Sequence, residues 1–136
     1  MRQALSLAER GVGLTSPNPP VGAIVVKGGV EVGSGWHQGP GRPHAEVEAL
    51  RDAIRRHGEE ATKGSTVYVT LEPCSTHGQT GPCTNALIRA GVGRVVVGAR
   101  DPNPSNGGKA GAILSEAGIE FVEGVEEPSC ESLIRA

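Results

Sequence analysis

The hydrophobic positions of this chain fall into short clusters whose period switches between helical and extended. Ala4, Leu5, Ala8 and Val12 recur at helical spacing, which predicts an opening helix over 1–12, loosened at its end by Gly11 and Gly13. Thr15-Ser16-Pro17-Asn18-Pro19-Pro20 cannot continue it, because proline lacks an amide donor and holds the residue before it extended. Two apolar runs, 21–26 and 30–35, then flank Lys27-Gly28-Gly29, the pattern of a β-hairpin. After a loop over 39–43, a second helix starts at His44 with Val47, Leu50 and Ile54 on its expected buried side. Val67-Tyr68-Val69-Thr70-Leu71 reads as a buried strand, 84–90 as a short helix stopped by Gly91, and 94–99 as another strand. A helix over 109–117 capped by Gly118 and a last strand over 119–122 complete the series.

The predicted order is α, β-hairpin, α, β, α, β, α, β. Strands alternating with helices after one hairpin imply a mixed sheet of about five strands with helices on both faces, a three-layer α/β/α sandwich. At 136 residues the chain is expected to form one domain over 1–136.

Composition narrows the possible partners. Hydrophobic residues make up 37%, with one each of Phe, Tyr and Trp, so the core is aliphatic. Net charge is −2, and Arg51, Arg55 and Arg56 alternate with acidic residues on a solvated helix face. Proteins that grip nucleic-acid strands combine a basic groove with stacking aromatics, and this chain has neither in quantity. A small-molecule substrate is expected, with no nucleic-acid partner. No apolar run reaches the length of a membrane span and no signal-peptide pattern opens the chain, so no membrane partner is expected. The three cysteines suit a reducing compartment, and a cytoplasmic location follows.

The candidate chemistry lies in His44-Ala45-Glu46, Pro73-Cys74 and Cys83. One imidazole and two thiolates form a three-donor zinc set that leaves the fourth tetrahedral position to water. Such a set lowers the water's pKa from about 15.7 towards about 7, and a carboxylate two residues from the imidazole can handle its protons. Zinc deaminases of nucleobases carry H-x-E followed by P-C-x-x-C. Here the first half is intact, but eight residues, 75–82, separate the cysteines. On spacing alone other readings stay open: the cysteines could be core residues or a disulfide, or a structural zinc could take His77 or Cys130 as fourth donor. Cys74 falls just past a strand and Cys83 at a helix start, where the dipole favours thiolate. All three donors therefore come to the same side of the sheet, the side where open α/β sheets bind ligands.

Over nearly its whole length the chain resembles a known family. The residues that carry the likeness are 15–22 (Thr-Ser-Pro-Asn-Pro-Pro-Val-Gly), His44-Ala45-Glu46, Thr70-Leu71-Glu72-Pro73-Cys74-Ser75, Gly81-Pro82-Cys83 and Asp101-Pro102-Asn103-Pro104. They are similar to the deaminase domain of the bifunctional riboflavin-biosynthesis deaminase/reductase, within the cytidine deaminase superfamily, which has the same eight-residue gap between its cysteines. The resemblance implies a cytidine deaminase-like fold, zinc held by His44, Cys74 and Cys83, and Glu46 as the catalytic proton shuttle. It further implies hydrolysis of 2,5-diamino-6-(5-phosphoribosylamino)pyrimidin-4-one to the 5-amino uracil derivative and ammonia. A homo-oligomer, dimer or tetramer, is expected.

Asn18, His77, Gln79 and Asn103 are the substrate-binding candidates, although Asn18 is equally suited to a turn in its proline-rich loop and Asn103 is better suited to one. Glu72 is expected to be a structural hydrogen-bond acceptor, and His37 and His57 to be surface or loop residues. Between the cysteines the family pattern has Ser-His-His-Gly followed by Arg or Lys, whereas this chain has Ser75-Thr76-His77-Gly78-Gln79. A neutral Gln79 in place of a natural phosphate partner makes deamination of another free nucleoside, nucleotide or base the alternative reading. An editing deaminase acting on nucleic acid, or a zinc-stabilised binding domain without activity, fits the charge and Glu46 less well. Glu131-Ser132-Leu133-Ile134-Arg135-Ala136 resembles the approach to the family's reductase domain, a pattern shared by stand-alone deaminases and the first part of bifunctional chains.

Overall fold

The hairpin forms at the place its glycines mark. A computed structural model describes residues 1–12, 20–38, 44–73, 83–100 and 109–134, with the side chains of 132–134 undefined. Strand β1 (Gly22–Lys27) pairs antiparallel with β2 (Val30–Trp36) across Gly28 and Gly29, whose φ values of 60° and 79° build the turn that suits strand twist. On its other side β1 pairs antiparallel with β3 (Thr66–Leu71), which continues in parallel to β4 (Arg94–Ala99) and β5 (Glu120–Glu123). The sheet is mixed and five-stranded, in the order β2-β1-β3-β4-β5, as the pattern predicts.

Alternation along the strands gives the sheet two apolar faces. Ala23 and Val25, Val67 and Val69, and Val95 and Val97 form one face. They pack with Leu50 of α2 (Ala45–His57), Leu87 of α3 (Cys83–Arg89) and Leu114 of α4 (Ala110–Glu116). The other face, with buried Ile24 and Val96, is covered by α1 (Arg2–Glu9) on β1 and α5 (Glu127–Ile134) on β4. No helix among the described residues is long and apolar enough to cross a membrane.

Helix α2 buries a different stripe from the expected one. Its inward residues are Ala45, Ala49 and Ala53 with Leu50, while Ile54 is 39% exposed. The reason lies in β2. A Cβ on Gly35 would sit 2.6 Å from the Ala49 nitrogen, and one on Gly33 2.7 Å from the Ala53 nitrogen. The helix backbone thus lies against bare strand, where only alanine fits, and the larger Ile54 turns outward. Val12, expected on the opening helical stripe, lies beyond the end of α1 and is 44% exposed. Helix α5 and a short 3-10 turn at Glu59–Ala61 are elements the pattern does not predict.

Strand β2 is a sheet edge, and α2 partly covers it. Asp52 reaches over to accept the Ser34 backbone N–H at 2.9 Å and pairs with Arg56 at 3.0 Å and with Arg55. An edge amide occupied in this way is closed to pairing with another chain. Burial works against ionisation of Asp52, but the Ser34 amide and the two guanidiniums outweigh it and hold the carboxyl below the usual carboxylate range. A group with a depressed folded pKa stabilises above its unfolded value of about 3.9 and loses that contribution as pH falls through the folded value. Asp52→Ala should therefore lower stability near pH 7 by about 1–2 kcal/mol in urea titrations. The gap between variant and wild type should close as the titrations are repeated progressively below about pH 4.

Candidate metal centre

Two helix starts converge at one end of the sheet. His44 caps α2 with an extended backbone, φ −71° and ψ 163°, and its carbonyl accepts the Glu48 N–H at 3.0 Å. The His44 side chain makes no capping bond to α2 and instead meets α3, which begins at Cys83. His44 Nδ1 lies 3.0 Å from the Cys83 Sγ. Cys83 is 1% exposed and forms no disulfide.

This pair fits zinc in chemistry and in scale. A neutral imidazole nitrogen and a thiolate are favoured zinc donors. Tetrahedral bonds of about 2.1 Å to nitrogen and about 2.3 Å to sulfur place the two donors about 3.6 Å apart. The observed separation needs to open by only about 0.6 Å to reach that value, well within side-chain rotation. Glu46, on the first turn of α2, is 3% exposed, so its carboxylate is held in the interior near the helix N-terminus, where the dipole favours negative charge.

The third expected donor, Cys74, lies outside the described residues, as do Asn18, His77, Gln79 and Asn103. Among the described residues no group of three His, Cys, Asp or Glu side chains could hold a metal. The chain leading to Cys74 is nonetheless well placed. Glu72 extends β3 with an N–H bond to the Ala99 carbonyl at 2.8 Å, and Pro73, also buried, follows it. The Glu72 carboxylate is 4% exposed and accepts the Ala110 N–H at 3.1 Å, which makes it the structural acceptor expected from the sequence.

His37 follows the end of β2, in a loop as expected, but it is not at the surface. It is 3% exposed, its N–H donates to the Val21 carbonyl at 3.0 Å, and its ring meets that of His44 edge-on with centroids 5.2 Å apart. The hairpin ladder runs one bond beyond Gly22 and Trp36 and carries His37 inward. The missed signal was periodicity: Gly33, Gly35 and His37 share one side of an extended chain. His57, in the last turn of α2, is exposed as expected.

Cys130 is on the wrong face to join this centre. It lies on α5, close over Gly98 of β4, so it is not the fourth donor of a structural zinc at His44 and Cys83. Burial first, and the nearby Glu126 carboxylate next, push its thiol up to about 11. In the folded protein Cys130 should resist iodoacetamide near pH 8 and become labelled only in denaturant, as followed by peptide mass spectrometry.

Comparison with known proteins gives a consistent result. Residues 1–99 match the family model described as the cytidine and deoxycytidylate deaminase zinc-binding region. The riboflavin biosynthesis protein RibD of Escherichia coli is 53% identical over 133 residues, covering 98% of this chain and 35% of that protein. The diaminohydroxyphosphoribosylamino-pyrimidine deaminase of Buchnera aphidicola is 47% identical over 119 residues, covering 88% of this chain and 78% of that one. Among solved structures, RibD of Acinetobacter baumannii superposes with a TM-score of 0.92 at 48% identity, covering 98% of this chain and 36% of that one. The chain thus spans about a third of the length of its longer relatives.

Proposed function

The chain belongs to the cytidine and deoxycytidylate deaminase zinc-binding family, in its riboflavin-biosynthesis branch, and from that premise we propose that it hydrolytically deaminates 2,5-diamino-6-(5-phosphoribosylamino)pyrimidin-4-one. The observation that carries this reading is the 3.0 Å approach of His44 Nδ1 to Cys83 Sγ, with Glu46 buried on the same helix start. These two atoms and the thiolate of Cys74 would hold zinc, which would lower the pKa of a bound water towards neutrality. Glu46 is given the role of proton carrier rather than ligand. Its carboxylate takes one proton from the attacking water and passes it to a ring nitrogen of the pyrimidine, then takes the second from the hydroxyl so added to the ring and delivers it to the departing amine. A carbon–oxygen bond forms, the carbon–nitrogen bond breaks, and ammonia leaves. One buried carboxylate thus serves as base and then acid, and burial keeps bulk water from competing for its proton.

Asn18, His77, Gln79 and Asn103 are proposed to contact the substrate. The neutral side chain of Gln79 favours a second reading, in which the substrate is another free nucleoside, nucleotide or base. A cytoplasmic location and a homo-oligomer belong to the same proposal; exposed Ile54 and Ile88, on the neighbouring helices α2 and α3, support the latter. Ammonia release from a panel of aminopyrimidines, each offered with and without its 5-phosphate, tests the substrate assignment. The riboflavin-pathway compound should be turned over fastest, and turnover of the rest of the panel without it would transfer the assignment to the second reading.

Glu46→Gln keeps the shape of the side chain but cannot accept a proton. Turnover should fall at least ~10²-fold while zinc content, read by elemental analysis, stays at the wild-type level. Gln79→Arg should lower the Michaelis constant about ten- to a hundredfold for the phosphorylated substrate and much less for its dephosphorylated form, since it restores a charge-assisted contact. Equal effects on the two forms would show that the phosphate is held elsewhere.

A further inference from the structure

Glu72 makes more connections than its place in the reaction requires. Its backbone N–H donates to Ala99, the last residue of β4, and its carboxylate accepts the N–H of Ala110, the first residue of α4. One residue therefore ties together the ends of two elements, 99 and 110, that are adjacent in the chain order but separated by a long connection. The same residue is two positions before Cys74, with only the buried Pro73 between them. A carboxylate that is 4% exposed would not be retained in the interior without partners, because an unsatisfied buried charge is costly. Here the Ala110 amide supplies one of them.

We propose that Glu72 is a positioning residue of the metal centre: anchored on the first amide of α4, it fixes the end of β3 from which Cys74 departs. This inference rests on the assignment of Cys74 as a zinc donor. The side chain does not reach the metal. It acts by removing the freedom of the backbone that delivers the thiolate, in the way that partners outside a coordination shell orient the ligands within it. Proline at position 73 adds to the effect, since its ring fixes one backbone angle between the anchor and the donor.

The test is zinc affinity, measured on the whole chain by competition with a chromophoric chelator, together with the absorption of the cobalt-substituted protein. Glu72→Ala should weaken zinc binding about ten- to a hundredfold and diminish the cobalt–thiolate charge-transfer band. Glu72→Gln, which keeps an oxygen acceptor for Ala110, should restore both to near the wild-type values. Ser65→Ala, which loses a buried bond to the Thr62 carbonyl at the opposite end of β3 from Glu72, serves as the control and should bind zinc as wild type does. If Glu72→Ala yields no folded protein, Glu72→Asp, one methylene too short to hold the same anchor, replaces it, with a smaller loss expected. Wild-type affinity in Glu72→Ala or Glu72→Asp, or a loss in Glu72→Gln as large as in Glu72→Ala, would overturn the proposal. Failure of the wild-type protein to bind zinc at all would instead overturn the assignment of the metal centre.

Discussion

Helix α2 can lie directly on the sheet only because β2 presents glycine at 33 and 35, and the placement of His44 and Glu46 follows from that contact. Any side chain at these two positions would meet the backbone of α2 and lift the helix. Lifting it would carry away His44, which caps its first turn, and Glu46, which is buried on it. The alanine row at 45, 49 and 53 is the complementary half of the same device. Close packing of backbone on backbone leaves little slack, so the helix start is set by shape rather than by a flexible side-chain layer. Cys83 is brought in by the second half of the fold, where β3 and β4 run parallel and the chain must cross between them. That crossover contains α3, and its first residue is the cysteine.

The end of the sheet reached in this way is unusually polar for a buried place. His37, Glu46 and Glu72 are all below 5% exposed, in a core otherwise built from Ala, Val, Leu and Ile. Burying carboxylates costs free energy unless backbone amides or opposite charges meet them, and the first amide of α4 does so for Glu72. A divalent cation held by the neighbouring imidazole and thiolates would compensate the same charges further. Buried imidazole and carboxylate groups are therefore concentrated where chemistry is expected, while buried hydroxyls such as those of Thr62 and Ser65 lie at the opposite end of β3 and bond backbone carbonyls.

Much of this was legible in the chain. The strands at 67–71 and 94–99 and the helix stop at Gly91 are marked by runs rich in valine and by a residue that tolerates φ of 75°. The meeting of His44 with Cys83 was legible because both sit where a loop turns into a helix. What escaped was decided by packing. The inward stripe of α2 was assigned to Val47, Leu50 and Ile54; Leu50 is buried as expected, but the strand opposite, with no side chains at 33 and 35, selected the alanines and left Ile54 exposed. His37 was assigned to the surface because its strand was ended too early. Helix α5 was missed because its apolar signal is sparse; Pro128 near its start was the one readable cue, since proline is tolerated in a first helical turn. The Cys74 loop and the substrate-binding candidates lie outside the described residues, and their assignment rests on the family resemblance.

The central claim is a zinc ion held by one nitrogen and two sulfurs with a position left open to water, and X-ray absorption at the zinc edge of the metal-loaded protein tests it most directly. The account predicts a four-coordinate site with two sulfurs at about 2.3 Å and two lighter atoms at about 2.0–2.1 Å, one of them belonging to imidazole. A shell without sulfur, or one closed by four protein donors with no exchangeable oxygen, would contradict it.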